Sequence, residues 1–315
     1  MKNFALIGAS GYIASRHFKA IKETGNNLVV AMDTSDSVGI IDSYFPEAEF
    51  FTEFAEFSAF VEDLLQAGKK LDYLVICSPN YLHLAHIKFA LQNGIDVICE
   101  KPLVLNSADL EVVKRYEKQY GAKVSSILQL RLHPSMIALR EKVQAAPADK
   151  IFAVDLTYLT SRGKWYLKSW KGCDEKSGGV ATNIGVHFYD MLHFVFGEIL
   201  NNEVHYRDQV TAAGFLQYER ASVRWFLSTD AKYLSENAAQ SNKVTYRSID
   251  IEGEELEFST GFTDLHTQSY QGILAGRGYG VEDNRAAIET VDVMRKAKLV
   301  ENPTNPHPLL AKVKS

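Results

Sequence analysis

Within the first 120 residues, short apolar runs alternate with stretches of helical periodicity, and this alternation limits the fold more than any other feature. Phe4 to Gly8, Leu28 to Asp33, Tyr73 to Ser78 and Asp96 to Lys101 are near-continuous apolar runs rather than alternating ones. That is the signature of parallel strands covered on both faces. Residues 11–24, 53–67, 81–93 and 107–119 carry the intervening helical patterns. Strand and helix in regular alternation build a doubly wound parallel sheet. The opening Phe4-Ala5-Leu6-Ile7-Gly8 reads as its first strand, not a signal peptide, because the apolar stretch stops at a glycine turn.

The pattern changes near residue 150. Ile151 to Thr160 and Ser222 to Ser228 alternate, as strands with one solvated face do. Tyr246 to Ile251 and Glu255 to Phe258 flank Glu252-Gly253-Glu254, which reads as a hairpin turn. One helix interrupts the series, with Thr182 as N-cap, residues 183–196 as body and Gly197 as stop; a second is expected over 281–298. The expected fold is α/β: an N-terminal doubly wound domain over 1–122, then an α+β domain over 123–315 with a largely antiparallel open sheet.

A formal net charge of −5 argues against general nucleic-acid affinity, which needs a basic excess. No apolar run reaches the roughly twenty residues that span a bilayer, so a cytoplasmic protein is expected. Cys77 and Cys99 fall within strands and Cys173 in a polar loop, a scatter that suggests neither disulfides nor a metal site. No further ligands surround His83 and His86, so no metal is expected.

The chemistry-bearing motifs fall at strand ends. Gly8-Ala9-Ser10-Gly11-Tyr12-Ile13-Ala14 joins the first strand to the first helix. Gly8 permits the tight turn, Gly11 lets backbone approach a pyrophosphate, Ala14 keeps helix and strand close, and the helix N-terminus offers free N–H groups. Ser10 replaces the second glycine of the usual fingerprint. Asp33, ending the second strand, would accept hydrogen bonds from an adenine ribose and repel a 2′-phosphate, favouring NAD over NADP. Ser78-Pro79-Asn80-Tyr81-Leu82-His83 follows the Tyr73 strand; Asn80 suits a helix cap or a cofactor contact, and His83 suits either a structural or a cofactor role. Glu100-Lys101-Pro102 ends its strand at the same edge, with Lys101 in the crevice and Pro102 stopping the strand.

In the second half, Asn183, His187 and Asp190 are spaced to share one face of an otherwise apolar helix. His187, with a reference pKa of about 6.5, is the natural base. Ser161 to Lys171 interleaves Arg162, Lys164, Lys168 and Lys171 with Trp165, Tyr166 and Trp170. That segment is either a solvated basic edge or a site for an anionic small substrate, with Arg162 able to clamp a carboxylate or phosphate. Gln129 and Arg131 are weaker candidates for lining a site, and His266 is ambiguous.

Gly8/Gly11, Ser78-Pro79-Asn80, Glu100-Lys101-Pro102 and Gly185-Val186-His187-Phe188-Tyr189-Asp190, in this order, resemble the glucose-fructose oxidoreductase/inositol dehydrogenase family across essentially the whole chain. Leu156 to Gly163, Lys168 to Gly172, Val180 to His187 and Ile273 to Gly280 resemble its members that oxidise the 3′-hydroxyl of a UDP-linked N-acetylglucosaminuronate, for diacetamido uronic acids of bacterial surface polysaccharide. The resemblance implies a Rossmann domain binding NAD through Gly8, Ser10, Gly11, Tyr12, Ile13, Asp33, Ser78, Asn80, His83, Glu100, Lys101 and Gln129. It implies substrate contacts from Lys101, Arg131, Arg162, Trp165, Tyr166, Lys171, Asn183 and His187, and a tetramer built through the antiparallel sheets. Lys101 and His187 would share the proton chemistry. Many family members carry aspartate where this chain has Asn183, which leaves more of that chemistry to Lys101. Another sugar or cyclitol substrate, or a non-catalytic sensor on the same scaffold, are the alternative readings.

Overall fold

The apolar runs become the middle of a six-stranded parallel sheet. The computed structural model describes residues 1–234, 244–258 and 264–313. Strands β1 (Asn3–Ile7), β2 (Asn27–Met32), β3 (Glu49–Phe51), β4 (Tyr73–Ile76), β5 (Asp96–Cys99) and β6 (Val124–Ser126) pair in the order β3-β2-β1-β4-β5-β6. Phe4, Leu6, Leu74, Val75 and Ile98 are wholly buried, which is why these strands carry no polar alternation. Helices α1 (Ala14–Glu23), α2 (Phe54–Gln66), α3 (His83–Gln92) and α4 (Ser107–Tyr120) connect them. α4 shows how local the signals are: the Asn106 side chain caps Asp109 N–H, and Gly121, at φ 77, ends the helix. The strand order reverses between β1 and β4, and a ligand crevice opens at the carboxyl ends of strands at such a point.

The sequence pattern over-extended the first helix. Residues 9–13 form turns and α1 starts at Ala14, whose N–H reaches Gly11 O at 2.9 Å. β3, three residues long, is too short to leave a periodic trace.

The second sheet comprises β7 (Phe152–Thr160), β8 (Ile199–Arg207), β9 (Thr211–Tyr218), β10 (Ala221–Ser228), β11 (Thr245–Ile251) and β12 (Glu254–Glu257), in the order β12-β11-β7-β10-β9-β8. Every pairing is antiparallel except β7 with β10. The β11–β12 turn has Glu252 at φ 55 and Gly253 at φ 90, the positive pair that a two-residue hairpin requires. β8 and β9 lie outside the expected strands. β9 is buried at nearly every position, so it lacks the alternation that would have marked it. Trp225, Tyr189 and Tyr218 are the largest fully buried side chains of this core. Helices α5 (Pro134–Ala145) and α6 (Val186–Phe196) pack together here.

The helix expected over 183–196 is broken. A helical turn, Gly179–Asn183, precedes α6, and the chain bends at Ile184 and Gly185. A Cβ at Gly185 would stand 2.3 Å from Ala181 O and 2.7 Å from both Leu227 and Tyr189, so only glycine lets the two pieces meet. Thr182 is therefore inside the first turn rather than capping a long helix, and Gly185 takes the cap position. Gly197, at φ 86, ends α6 as expected.

The chain divides into two compact units, Met1–Gln129 with Thr263–Arg285, and Leu130–Phe262 with Ala286–Ser315. The single boundary expected after residue 122 misses the return of the chain to the first unit. That return is α7 (Leu265–Leu274), whose Tyr270 and Ile273 join Phe4, Leu6 and Phe18 in one apolar cluster. The last helix, α8 (Arg285–Lys296), follows a short 3-10 turn at Glu282–Asn284.

Candidate active site

In the first unit, the carboxyl ends of β1, β4 and β5 carry the motifs. Gly8 has φ 94, and a Cβ there would lie 2.5 Å from the Cys77 carbonyl carbon. Both the turn and the approach of β4 exclude any side chain. Gly8 and Ala9 N–H groups bond Met32 O at 2.8 and 3.2 Å. The Asp33 carboxylate accepts from Ser10 N at 2.9 Å and Ser35 N at 3.0 Å, fixing it beside the glycine turn. Ser10 and Tyr12 are exposed and Ile13 partly buried on this turn. A bare backbone turn of this kind, opening a helix next to an acid at the end of β2, fits a dinucleotide pyrophosphate and ribose. Gln129 Oε1 is buried without a hydrogen-bond partner, a second polar atom suited to such a ligand.

The loops around Lys101 are tied from behind. Ser78 Oγ lies 2.9 Å from His86 Nδ1, and Asn80 is buried at the start of a 3-10 turn. Burial pushes His86 down to about 4. His83, expected as a possible cofactor contact, is instead enclosed: Nδ1 lies 2.8 Å from Pro102 O and Nε2 2.9 Å from Ser78 O. Glu100 is likewise buried and bonded to the protein. Its Oε1 meets His17 Nε2 at 3.0 Å and His266 Nε2 at 3.1 Å, and its Oε2 meets Lys101 N at 3.3 Å. Burial alone would raise the Glu100 carboxyl, but hydrogen bonds from His17 and His266 outweigh it and hold the group well below the usual range. Burial lowers the His17 pKa against the opposing pull of Glu100, and its Nδ1 lies 2.8 Å from Tyr270 Oη. This trio is the described histidine–carboxylate cluster with metal-ligand spacing, and its distances are those of N–H···O bonds. Lys101 itself is partly buried.

In the second unit, α6 carries His187, partly buried, and Asp190, buried. Asn183 belongs to the helical turn that precedes α6 and donates its amide to Tyr166 Oη at 2.7 Å. Asp190 is paired with Arg131: Nε lies 3.2 and 3.1 Å from its two oxygens and Nη2 2.7 Å from Oδ1. Arg131, expected to line the substrate site, is thus a buried partner of α6.

The basic-aromatic segment folds into helical turns at Trp165–Lys168 and Trp170–Gly172. Tyr166 is buried, while Arg162, Lys164, Trp165 and Lys168 are exposed. Lys171 Nζ stands 4.2 Å from the Trp170 ring centre and 5.7 Å from that of Trp165. Burial and the nearby Arg162 guanidinium both lower the Lys171 pKa. Neither cation has an ion-pair partner among the described residues. A partly buried lysine with a neighbouring exposed arginine offers positive charge suited to an anion.

Sequence reasoning missed His17, Tyr270 and the pairing of Arg131 with Asp190. His17 lay on the buried face of α1, but nothing local names its partners.

Profile comparison matches residues 2–127 to "Oxidoreductase family, NAD-binding Rossmann fold" and residues 149–245 to "Oxidoreductase family, C-terminal alpha/beta domain". The chain is 48% identical to the WlbA (WbpB) dehydrogenase of Thermus thermophilus, crystallised with NAD and UDP-GlcNAcA; the match covers 98% of this chain and 100% of that one, with a TM-score of 0.94. A second Thermus structure, with NAD and alpha-ketoglutarate, is 49% identical over the same shares, again with a TM-score of 0.94. Among curated proteins, an inositol 2-dehydrogenase of Rhizobium meliloti is 26% identical over 62% of this chain and 55% of its own. The Bacillus subtilis oxidoreductase YteT is 27% identical over 71% of this chain and 52% of its own, so the chain spans about half the length of these curated relatives.

Proposed function

Since this chain belongs to the oxidoreductase family with an NAD-binding Rossmann domain and a C-terminal α/β domain, we propose that it oxidises the 3′-hydroxyl of UDP-N-acetylglucosaminuronate with NAD. The observation that carries the reading is the near-half identity, over essentially the full length of both chains, to a dehydrogenase crystallised with NAD and UDP-GlcNAcA. The cofactor, when bound, supplies the hydride acceptor. Gly8, Ser10, Gly11, Tyr12 and Ile13 would hold its pyrophosphate, Asp33 its adenine ribose, and Ser78, Asn80 and Gln129 its nicotinamide half. Arg162 and Lys171 would bind the uronate carboxylate or diphosphate, with Trp165 against the sugar or base and the Asn183–Tyr166 pair beside it.

As hydride leaves C3′, the hydroxyl oxygen must release a proton. Lys101 and His187 are the proposed groups that take and stabilise it, one as base and the other as hydrogen-bond donor. Asn183, an amide, can orient an imidazole but cannot stabilise imidazolium as a carboxylate would, which assigns Lys101 the larger share. The Thermus structure with alpha-ketoglutarate supports a returning half-reaction. A 2-oxo acid would take the hydride at C2 and a proton at its oxygen, giving a 2-hydroxy acid and restoring NAD. A tetramer assembled through the second sheet, and a place in building diacetamido uronic acids for surface polysaccharide, complete the proposal. Among the described residues no helix is long and apolar enough to cross a membrane.

The test follows NADH absorbance with purified protein and UDP-uronate, with and without 2-oxoglutarate, and assays the 2-hydroxy acid by mass spectrometry. Lys101→Ala should nearly abolish turnover while NAD still binds. No turnover of the uronate in either format, or full activity on the analogue lacking the 6-carboxylate, would refute the assignment.

A further inference from the structure

His83 begins α3 and is 1% exposed. Its two nitrogens meet two backbone carbonyls that belong to different loops. Ser78 O lies at the exit of β4, in the loop that carries Asn80; Pro102 O belongs to the turn that carries Lys101. We infer that His83 is a positioning residue for Lys101, its Nδ1–H holding the Pro102 carbonyl and so fixing the turn from which the lysine projects. The inference rests on the proposal that Lys101 handles the substrate proton.

Carbonyl oxygens only accept, and a neutral imidazole has a single N–H. The Nδ1–H tautomer therefore holds Pro102 and turns a lone pair toward Ser78, while the other tautomer does the reverse. The charged form would hold both. Burial drives the ring toward the neutral form and the Lys101 ammonium adds to this, while the Ser78 and Pro102 carbonyls and the Glu100 carboxylate oppose it. The ring thus joins these two loops directly. Catalytic geometry is sensitive to such links, because a displacement of about 1 Å can cost about a hundredfold in rate.

Two amides separate the nitrogens. In His83→Asn the side-chain N–H₂ stands near the Nδ1 position and can keep the Pro102 bond. In His83→Gln it stands near Nε2, keeping Ser78 and losing Pro102. The inference expects kcat of His83→Gln to fall by about 10- to 100-fold with NAD affinity and substrate KM little changed, and His83→Asn to retain most of kcat. Equal kcat in the two variants, whether normal or reduced, overturns it, as does a lower kcat for Asn than for Gln. Should both variants fail to fold, nitrogen-15 NMR of the wild-type ring decides: Nδ1 protonated, alone or with Nε2, supports the inference, and Nε2 alone protonated overturns it. Wild-type turnover by Lys101→Ala would overturn the functional reading and this inference with it. An inactive Lys101→Ala beside equal Asn and Gln variants would overturn this inference alone.

Discussion

Removing one partner of the Arg131–Asp190 pair should unfold the second unit far more readily than removing both. The side chains are 8% and 3% exposed, and the guanidinium also lies 5.5 Å from the Phe194 ring centre. Asp190→Asn keeps the shape and some hydrogen bonding but leaves a buried guanidinium without its counter-charge. Breaking such a pair costs about 3–5 kcal/mol, whereas replacing both members with apolar groups of similar volume is often neutral. Arg131→Met alone should cost a similar amount by stranding the carboxylate. Arg131→Met with Asp190→Leu should recover most of the loss, giving a coupling of at least about 2 kcal/mol. The assay is urea unfolding followed by tryptophan fluorescence, because all three tryptophans, Trp165, Trp170 and Trp225, lie in the second unit. A cost below about 1 kcal/mol for Asp190→Asn, or a double variant no more stable than the worse single one, would refute the reasoning. If Arg131 bound substrate instead, Arg131→Met would raise KM and leave the unfolding curve in place.

Gly8→Ala should weaken NAD binding by at least about a hundredfold, since a positive φ costs a side chain about 1–2 kcal/mol before its contact with the Cys77 backbone is counted; calorimetric titration with NAD reads the change, and unchanged affinity contradicts it. Gly185→Ala should destabilise the second unit by at least about 2 kcal/mol through overpacking against Ala181 O, Leu227 and Tyr189, measured on the same urea curve. His307 stacks on Phe226, meets Thr157 Oγ1 at 3.1 Å, and is pushed by burial down to about 4. Its folded pKa lies below the unfolded value, so the unfolded chain takes the proton first as pH falls. Its contribution is complete above about 6.5, and roughly 3 kcal/mol is lost as pH drops toward 4. His307→Gln should flatten that part of the stability–pH curve, and an unchanged slope would remove His307 as its cause.

The legible parts of the site are those with local causes. The glycine turn, Asp33 at the end of β2 and Lys101 just beyond β5 follow from a chain that must leave a buried strand at a fixed edge. The hairpin at Glu252-Gly253 and the stop at Gly197 need only backbone conformations that few residues adopt. His83, Glu100 and Arg131 stand where the strand ends place them, and the fold gives each a protein partner that spacing does not reveal. Each carries a polar group that sequence can place near a crevice, but only the folded chain shows whether it faces the crevice or the core. The helix through Asn183 misled for a related reason: its apolar spacing continues through Gly185, where a side chain would collide with Ala181 O, with Leu227 on another strand and with Tyr189 a turn later.

Periodicity and turn residues act over a few positions, so the chain alone gave away the doubly wound sheet, the second sheet apart from β8 and β9, and the loops that bear the chemistry. Tertiary structure decided which buried polar groups satisfy one another. Glu100 bonds to His17 and His266 across separations of 83 and 166 residues, and Arg131 to Asp190 across 59. A buried carboxylate or guanidinium must find a partner somewhere, but the chain does not record where until the sheet and its helices bring the two together.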